Sequence, residues 1–440
     1  MISNSEETMT FIRDFDGITR SLKREHDPQW LKELRSESLS RFQLLGIPTS
    51  KTEDWKYFNL QPLLKHNFSW ASASKLNNLD HFKSYLQGDT LTVVLVNGVF
   101  SHTLSQLKNC PKGLKIISFK DAIAQKEIDL KTLLMRFEFG KEKNPFVALN
   151  NIFTSDGALI KIDDKAVIKD LIHILHVTSV SKEEMATFPR SVIISGKSSE
   201  ATILESYVSL DDESVYFNNP LTEIIMHKNA VFNYCKAQNE SFKAYHIGTT
   251  RVWQEQNSNF HGFSLATGGN LTRNDLDIVL NGEGASGILN GLYSISGNQL
   301  VDNHTCVDHK APNCTSNQLY KGILNGSSRA IFNGKIIVRS IAQKTNSYQL
   351  NKNLLLGKNS QIDTKPQLEI FADDVKCTHG ATIGQLNEDE IFYLRSRCIA
   401  KKEAIKMLAV GFVDDVLERI PNQSIIDRLH FLLKPSLEAI

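Results

Sequence analysis

The spacing of apolar and polar positions changes twice along this chain. Near the N-terminus Trp30, Leu31, Leu34, Phe42 and Leu45 fall roughly on one helical face; Asp27 is an N-cap candidate, Pro28 suits the first helical position, and Gly46 and Pro48 stop the element. Two β-rich runs follow, LTVVLVNGV from Leu91 to Val99 with its Asn-Gly turn and GLKIISF from Gly113 to Phe119. Helix-forming DLKTLLMRFEF lies between Asp129 and Phe139, so residues 61 to about 155 read as a small mixed α/β segment. From about Asp163 to Gly384 the helical period disappears. Short alternating strands separated by Gly, Asn and Ser replace it, and a loose unit recurs as GKSSEATI at Gly196, HKNAVFN at His227, GEGASGILNG at Gly282, GSSRAIFNG at Gly326 and GKNSQID at Gly357. Repetition of about 30 residues with this texture predicts a solenoid of parallel strands, each coil burying its inward residues against the next. A β-sandwich also alternates and is turn-separated, and periodicity alone leaves it open.

The tail returns to helix. Ile405, Leu408, Ala409, Phe412, Val413, Val416, Leu417 and Ile420 follow the i, i+3, i+4, i+7 spacing; Pro421 ends the element and SIIDRLHFLL opens a last one. So wide a stripe needs a cover, either the exposed end of the solenoid or a partner subunit. Three units are expected: 1–155, helical and α/β; 156–385, the solenoid; and 386–440, a helical domain.

Bulk properties remove several function classes. The 440 residues carry 50 basic and 49 acidic side chains, a balance that disfavours nucleic acid or an anionic membrane as partner. No run of about 18 apolar residues is present. The opening MISNSEETMTFIRDFDGITR contains acids and no apolar segment, which argues against a secretory signal and for a cytoplasmic protein. Cys110, Cys235, Cys306, Cys314, Cys377 and Cys398 are too sparse for a disulfide framework.

The densest chemistry lies between Asp363 and Arg397. Cys377 and His379 stand two apart on a strand-like segment, so a thiol and an imidazole share one face, a plausible half-site for a soft metal. Gly380 and Gly384 then break the strand pattern, and Asn387 with Glu390 reads as a helix N-cap with its capping-box partner. The blocks DTKPQLEI, ADDVKCTHGAT and IFYLRSR, together with KTEDWKYFNL at Lys51 to Leu60, resemble the SufB/SufD family, the non-ATPase subunits of the Suf iron–sulfur cluster assembly complex, and its SufD branch in particular.

That resemblance implies a mainly β chain with a right-handed parallel β-helix, acting as a scaffold rather than an enzyme. It implies a heterodimer with SufB, formed by strand pairing between the last coils, and docking of the ATPase SufC on the C-terminal helices. SufC dimerisation would then move those helices and open the interface. It leaves open whether a homodimer forms where SufB is missing. His379 matches the family histidine implicated in holding the nascent iron–sulfur cluster, a transient cargo shared with SufB; Cys377 is at best an accessory thiol. The usual family residue after LRSR is glycine, suited to a left-handed helix end, and here it is Cys398.

Other constellations are weaker. His304, Cys306, His309 and Cys314 in DNHTCVDHKAPNC lack a zinc-knuckle spacing and read as polar corner residues satisfying strand-end backbone groups. No GxxxxGK(S/T) occurs, so no nucleotide is expected on this chain, and no GxSxG occurs. Asp373-Asp374 is expected to bend or bulge a strand, and Trp55 and Tyr57 to pack the N-terminal segment onto the rest. The rival readings are a β-helix enzyme, a lyase or acyltransferase, whose signal peptide or isoleucine-rich repeats are absent, and the paralogous SufB. The HGAT and FYLRSR blocks favour the SufD branch.

Overall fold

The structure, a computed structural model, describes residues 27–71, 76, 78–86, 90–125, 130–137, 143–179 and 184–440. The opening residues read above for a signal lie outside them, as do Asp129, Glu138 and Phe139 of the DLKTLLMRFEF run. Within that run Leu130–Leu134 is α-helical and Met135–Phe137 a 3-10 turn.

From Arg190 onward the strands alternate between two sheets. The first holds Arg190–Ser195, Leu221–Met226, Tyr245–Gln254, Leu271–Leu280, Leu300–His309, Arg329–Val338 and Gln361–Ile370 in spatial order. The second holds Glu200–Ser209, Val231–Asn239, Asn259–Ala266, Ser286–Ile295, Thr315–Leu324, Asn346–Leu355 and Lys376–Gly384. Each of these pairs in parallel with the strand one coil away, residue on residue: Leu271 on Leu300, Leu300 on Arg329, Arg329 on Gln361. The chain is therefore a parallel β-solenoid flattened into two facing sheets. A sandwich would also face two sheets, but with antiparallel ladders. Among the described residues antiparallel pairing is confined to the N-terminal margin, Leu114–Ser118 with Gly157–Ile162, Val99–Phe100 with Thr90–Val96, and a single bridge between Thr92 and Gln106.

The corners explain why this sequence coils. Ser198, Asn229, Asn257, Gly284, Asn313 and Lys344 form one column, each in the left-handed region with φ between 54° and 71°. Each donates its N–H to the carbonyl of the next coil's corner: Ser198 to Lys228, Asn229 to Gln256, Asn257 to Glu283, Gly284 to Pro312, Asn313 to Gln343 and Lys344 to Asp374. Gly and Asn tolerate this conformation best, which is the physical content of the recurrent polar corner. Gly326 and Gly357 belong to a second column on the opposite edge, where the Gly357 Cα is so close to Gly326 that a methyl group would meet its backbone at 2.4 Å.

Inside, the first coils hold an apolar cluster, Ile174, Ile193, Ile203, Ile224, Phe232 and Phe260, beside buried polar groups such as Glu205 and Lys236. Towards the last coils the column of Phe232 and Phe260 turns to Ser316 and Ser347, and that of Ile203 and Leu289 to Gln318 and Gln349, with Asn351 and Asn353 buried beside them.

Outside, the two flanks are covered differently. Phe42, Trp55, Phe58, Phe146, Leu149 and Phe153 of the N-terminal segment pack on the first sheet through Phe217, Tyr245, Ile247 and Leu271. Trp55 is buried and Tyr57 half-buried beside it, as expected. The helices Lys401–Leu417 and Gln423–Glu438 lie along the second sheet, Val413, Val416, Leu417, Leu429 and Leu433 meeting Leu204, Cys235, Phe263, Leu292 and Leu319. The apolar stripe thus covers a flank and not the end of the solenoid.

Local expectations need three corrections. The first helix is Gln29–Leu45 with Pro28 at the cap, because Asp27 turns its carboxylate to Arg35 Nε at 2.9 Å; Gly46 does end it. Gly380 does not interrupt the last strand, which pairs through it and ends at Gly384. Asp373 and Asp374 lie in the turn before that strand, where Asp374 pairs with Lys344, instead of bulging a strand.

Candidate functional site

Both sheets end at the same end of the molecule. Among the described residues Gln361–Ile370 pairs only with Arg329–Val338, and Lys376–Gly384 only with Asn346–Leu355, so each presents a free strand edge. The contrast with the coil beneath is sharp. Gln349 is fully buried, whereas His379, its partner in the ladder, is exposed. Around this mouth stand apolar side chains turned to solvent: Ile341 is 67% exposed, Phe371 59% and Ile383 49%. An unpaired, uncovered, partly apolar strand is a template for another chain.

In-register parallel pairing places side chains of paired residues on the same face. Cys377 stacks on Ser347 and His379 on Gln349, so both look into the interior of the solenoid where it opens. The same-face geometry expected for Cys377 and His379 is present, but their surroundings differ. Cys377 is half-buried against Ile336, Val338, Ala372 and Val375, and burial pushes its thiol up, against thiolate formation. It behaves here as a small hydrophobe. His379 keeps its ring accessible. Among the described residues no group of three or more His, Cys, Asp or Glu side chains is placed to hold a metal ion. Among the described residues the pair is thus an incomplete donor set.

The residues of DNHTCVDHKAPNC do not converge. His304 and Cys306 face outward on the first sheet, where His304 Nε2 lies 3.0 Å from Asp302. His309 points inward, its Nε2 bonded to Ser316 Oγ at 3.0 Å, and burial pushes its imidazole down to about 4. Cys314 is buried, its Sγ donating to the Gly282 carbonyl at 3.3 Å. Side-chain partners, rather than strand-end backbone groups, engage Nε2 of each of the two histidines. Outward alternation separates them: residues 304 and 306 sit on one face, 309 on the other.

Cys306 forms part of the floor of a cleft of about 450 Å³ between the N-terminal segment and the first sheet, with Trp55, Arg273, Asp277 and Lys335. Its charges engage one another: Arg273 with Asp275 and Asp302, Arg136 with Glu255, Arg339 with Asp308, Lys335 with Glu369. Burial holds the Cys306 thiol well above its ordinary range. This is an ion-paired seam without an activated nucleophile.

At the other side of the last coil, Asn387 caps the helix Glu388–Ser396, its Oδ1 accepting from the Asp389 N–H at 2.9 Å. That helix ends with Cys398 at φ 64°, so the chain does adopt the left-handed cap with a non-glycine residue. Phe392 and Tyr393 on it, and Met407 on the next helix, are exposed.

The polar inward row beneath His379 is what sequence reading passed over. Its signal was present: in SNQL at Ser316 and NSYQ at Asn346, Ser and Gln occupy the two alternate positions that earlier coils fill with Phe232 and Phe260, and with Ile203 and Leu289.

Comparison with known proteins agrees with this geometry. Residues 5–174 match the family described as SufBD protein N-terminal region. Residues 177–412 match the SUF system FeS cluster assembly, SufBD core domain. An iron–sulfur cluster assembly SufBD family protein of Synechocystis is 32% identical over 393 residues, 88% of this chain and 86% of that protein. Iron–sulfur cluster assembly protein SufD of Escherichia coli is 29% identical over 391 residues, 88% and 89% of the two chains. The chloroplastic protein ABCI7 of Arabidopsis thaliana is 26% identical over 404 residues, 90% and 84%. The solenoid, the helices laid on its flank and a match that runs through both regions carry one conclusion: this chain belongs to the SufBD family of iron–sulfur cluster assembly proteins.

Proposed function

We propose that this chain is the SufD-type, non-ATPase scaffold of a complex with SufB and SufC, and that its open solenoid end receives SufB. The observation that carries the reading is the pair of strands with one free edge each among the described residues, Gln361–Ile370 and Lys376–Gly384, ending in one uncovered mouth beside an exposed His379. Strand addition from a sister subunit would satisfy both edges and bury Ile341, Phe371 and Ile383. His379 then supplies one nitrogen ligand to a nascent cluster, and the partner supplies the rest. Mixed, shared ligation suits a scaffold that must release its cargo, since imidazole in place of thiolate changes the charge and potential of the site.

SufC takes the outer side of the C-terminal helices, where Phe392, Tyr393 and Met407 are 72%, 58% and 50% exposed. A route from that surface to the sheet exists. Lys321, on the inner side, donates from Nζ to the Phe412 carbonyl at 2.8 Å and pairs with Asp415, tying the helix Lys401–Leu417 to the strand Thr315–Leu324. Displacing the helices therefore loads the coil two below the mouth.

The test is co-purification of tagged chain with SufB and SufC, followed by cluster reconstitution. The reading expects a stable complex whose cluster yield collapses in His379→Ala. A complex that forms but assembles normal cluster without His379 contradicts the ligand role; a chain that ignores SufB and pairs with itself contradicts the partner.

A further inference from the structure

Directly under His379 the solenoid holds two stacked amides. Gln318 pairs with Gln349 and Gln349 with His379 in the same ladder, and both glutamines are fully buried. From the facing sheet Thr305 Oγ1 donates to Gln318 Oε1 at 2.7 Å, and Gln349 Nε2 donates to that same oxygen at 3.3 Å. The Gln349 amide reaches across to Gly334, where a methyl group would come within 2.0 Å of its Nε2 and 2.9 Å of its Oε1. Gly334 leaves that space for the amide. Gln349 Oε1 is buried and has no hydrogen-bond partner among the described residues.

A buried carbonyl oxygen without a donor is unusual in a folded protein and calls for an explanation. In a column of stacked amides each N–H faces one neighbour and each carbonyl the other. Since Nε2 of Gln349 is engaged towards Gln318, its oxygen belongs to the rung above. On the same sheet the inward residue of that rung is His379, one strand spacing of about 4.8 Å away, and in the structure its exposed ring makes no hydrogen bond with this oxygen. Turned inward, its ring N–H would be the donor this oxygen lacks.

We propose that Gln349 is the positioning residue for His379: its Oε1 accepts from one ring N–H, fixes the tautomer, and leaves the other nitrogen unprotonated and aimed out of the mouth. The inference rests on the ligand role of His379 proposed above. An exposed imidazole on a free edge otherwise samples both tautomers and several rotamers. Ligating histidines are ordinarily held by such an outer acceptor, and its loss weakens metal binding about 10- to 100-fold. Here the ladder places the acceptor within the fold, one rung below the ring, so a His379 turned inward would be set before any partner arrives.

The test uses the full-length chain labelled with ¹⁵N-histidine, His379 being assigned by the signal missing in His379→Ala. The unsubstituted chain should show His379 in one tautomer. In Gln349→Met, which keeps the length and removes the acceptor, the ring nitrogens should average between the two forms. Gln349→Glu retains an acceptor and should retain one tautomer. Gln318→Met disturbs the column one rung deeper and should leave His379 unchanged, which a merely structural role of the stack would not predict. In the reconstituted complex, Gln349→Met should lower cluster yield about tenfold. Mixed tautomers in the unsubstituted chain, or an unchanged His379 signal in Gln349→Met, overturn the proposal and leave the scaffold reading intact. Normal cluster yield in His379→Ala instead overturns the ligand role on which it rests.

Discussion

The guanidinium carbon of Arg273 lies 3.7 Å from the centre of the Trp55 ring, while its nitrogens donate to Asp275, Asp302 and the Asp54 carbonyl. One buried side chain therefore joins the N-terminal segment to the solenoid by stacking, charge and a main-chain contact. Arg273→Met strands two largely buried carboxylates and is expected to cost about 3–5 kcal/mol. Arg273→Lys keeps the charge but loses the planar fork, and should fall between that variant and the parent. Urea unfolding of the three chains decides it; a loss below about 1 kcal/mol in Arg273→Met would mean that the seam contributes little.

Acid sensitivity should be traceable to Glu205. Burial pushes its carboxyl up, but bonds from His176, Tyr234 and Thr222 outweigh that and hold it down at about 2, from an ordinary 4.5. Because the folded value is depressed, the contribution is complete above about pH 4.5 and disappears as pH falls through about 2. At 1.36 kcal/mol per unit, that is of order 3 kcal/mol. Glu205→Gln should flatten the urea-midpoint profile across this window. Parallel profiles for parent and variant would show that the carboxylate is not held down.

How much of this was legible in the sequence depends on the column a residue occupies. The corners at Gly196, His227 and Gly282 flank one left-handed column, and those at Gly326 and Gly357 the other, so the repeat looked irregular though each column keeps its period. The coil whose corner is Glu255-Gln256-Asn257 has no glycine and shows in the sequence only as the doubled interval between His227 and Gly282, and Lys344 fills the same place with a residue that carries no turn signal. His379 and Cys377 were correctly placed on one strand face. Their different exposure was not legible, because it follows from that strand being the last of its sheet. Nor could periodicity say which surface the C-terminal stripe covers; an apolar helix face fits a flank as well as an end.

The helix end at Cys398 offers a stabilising change. With φ at 64° this residue pays a steric cost that glycine does not, so Cys398→Gly should raise stability by up to about 1 kcal/mol. The gain would appear as a higher urea midpoint with an unchanged slope. A destabilised variant would indicate that the thiol makes a contact worth more than the strain.

The corner column makes a parallel prediction. Lys344 donates its N–H to the Asp374 carbonyl and pairs with the Asp374 side chain, so its left-handed conformation is held from two sides. Lys344→Asn keeps the backbone bond and removes the strain, and should be neutral or mildly stabilising, whereas Lys344→Val should cost more than 1 kcal/mol, on the order of β-branched strain in this region. Thermal unfolding of both variants tests it.

The central claim is that the solenoid's free end is completed by strands of another chain. Hydrogen–deuterium exchange of the full-length protein, alone and after addition of SufB, tests it most directly. The account predicts that amides of Gln361–Ile370 and Lys376–Gly384 exchange fast in the isolated chain and become protected on complex formation, while those of Leu271–Leu280 and Ser286–Ile295 stay protected throughout. A complex that forms with those two terminal strands still exchanging freely would contradict it.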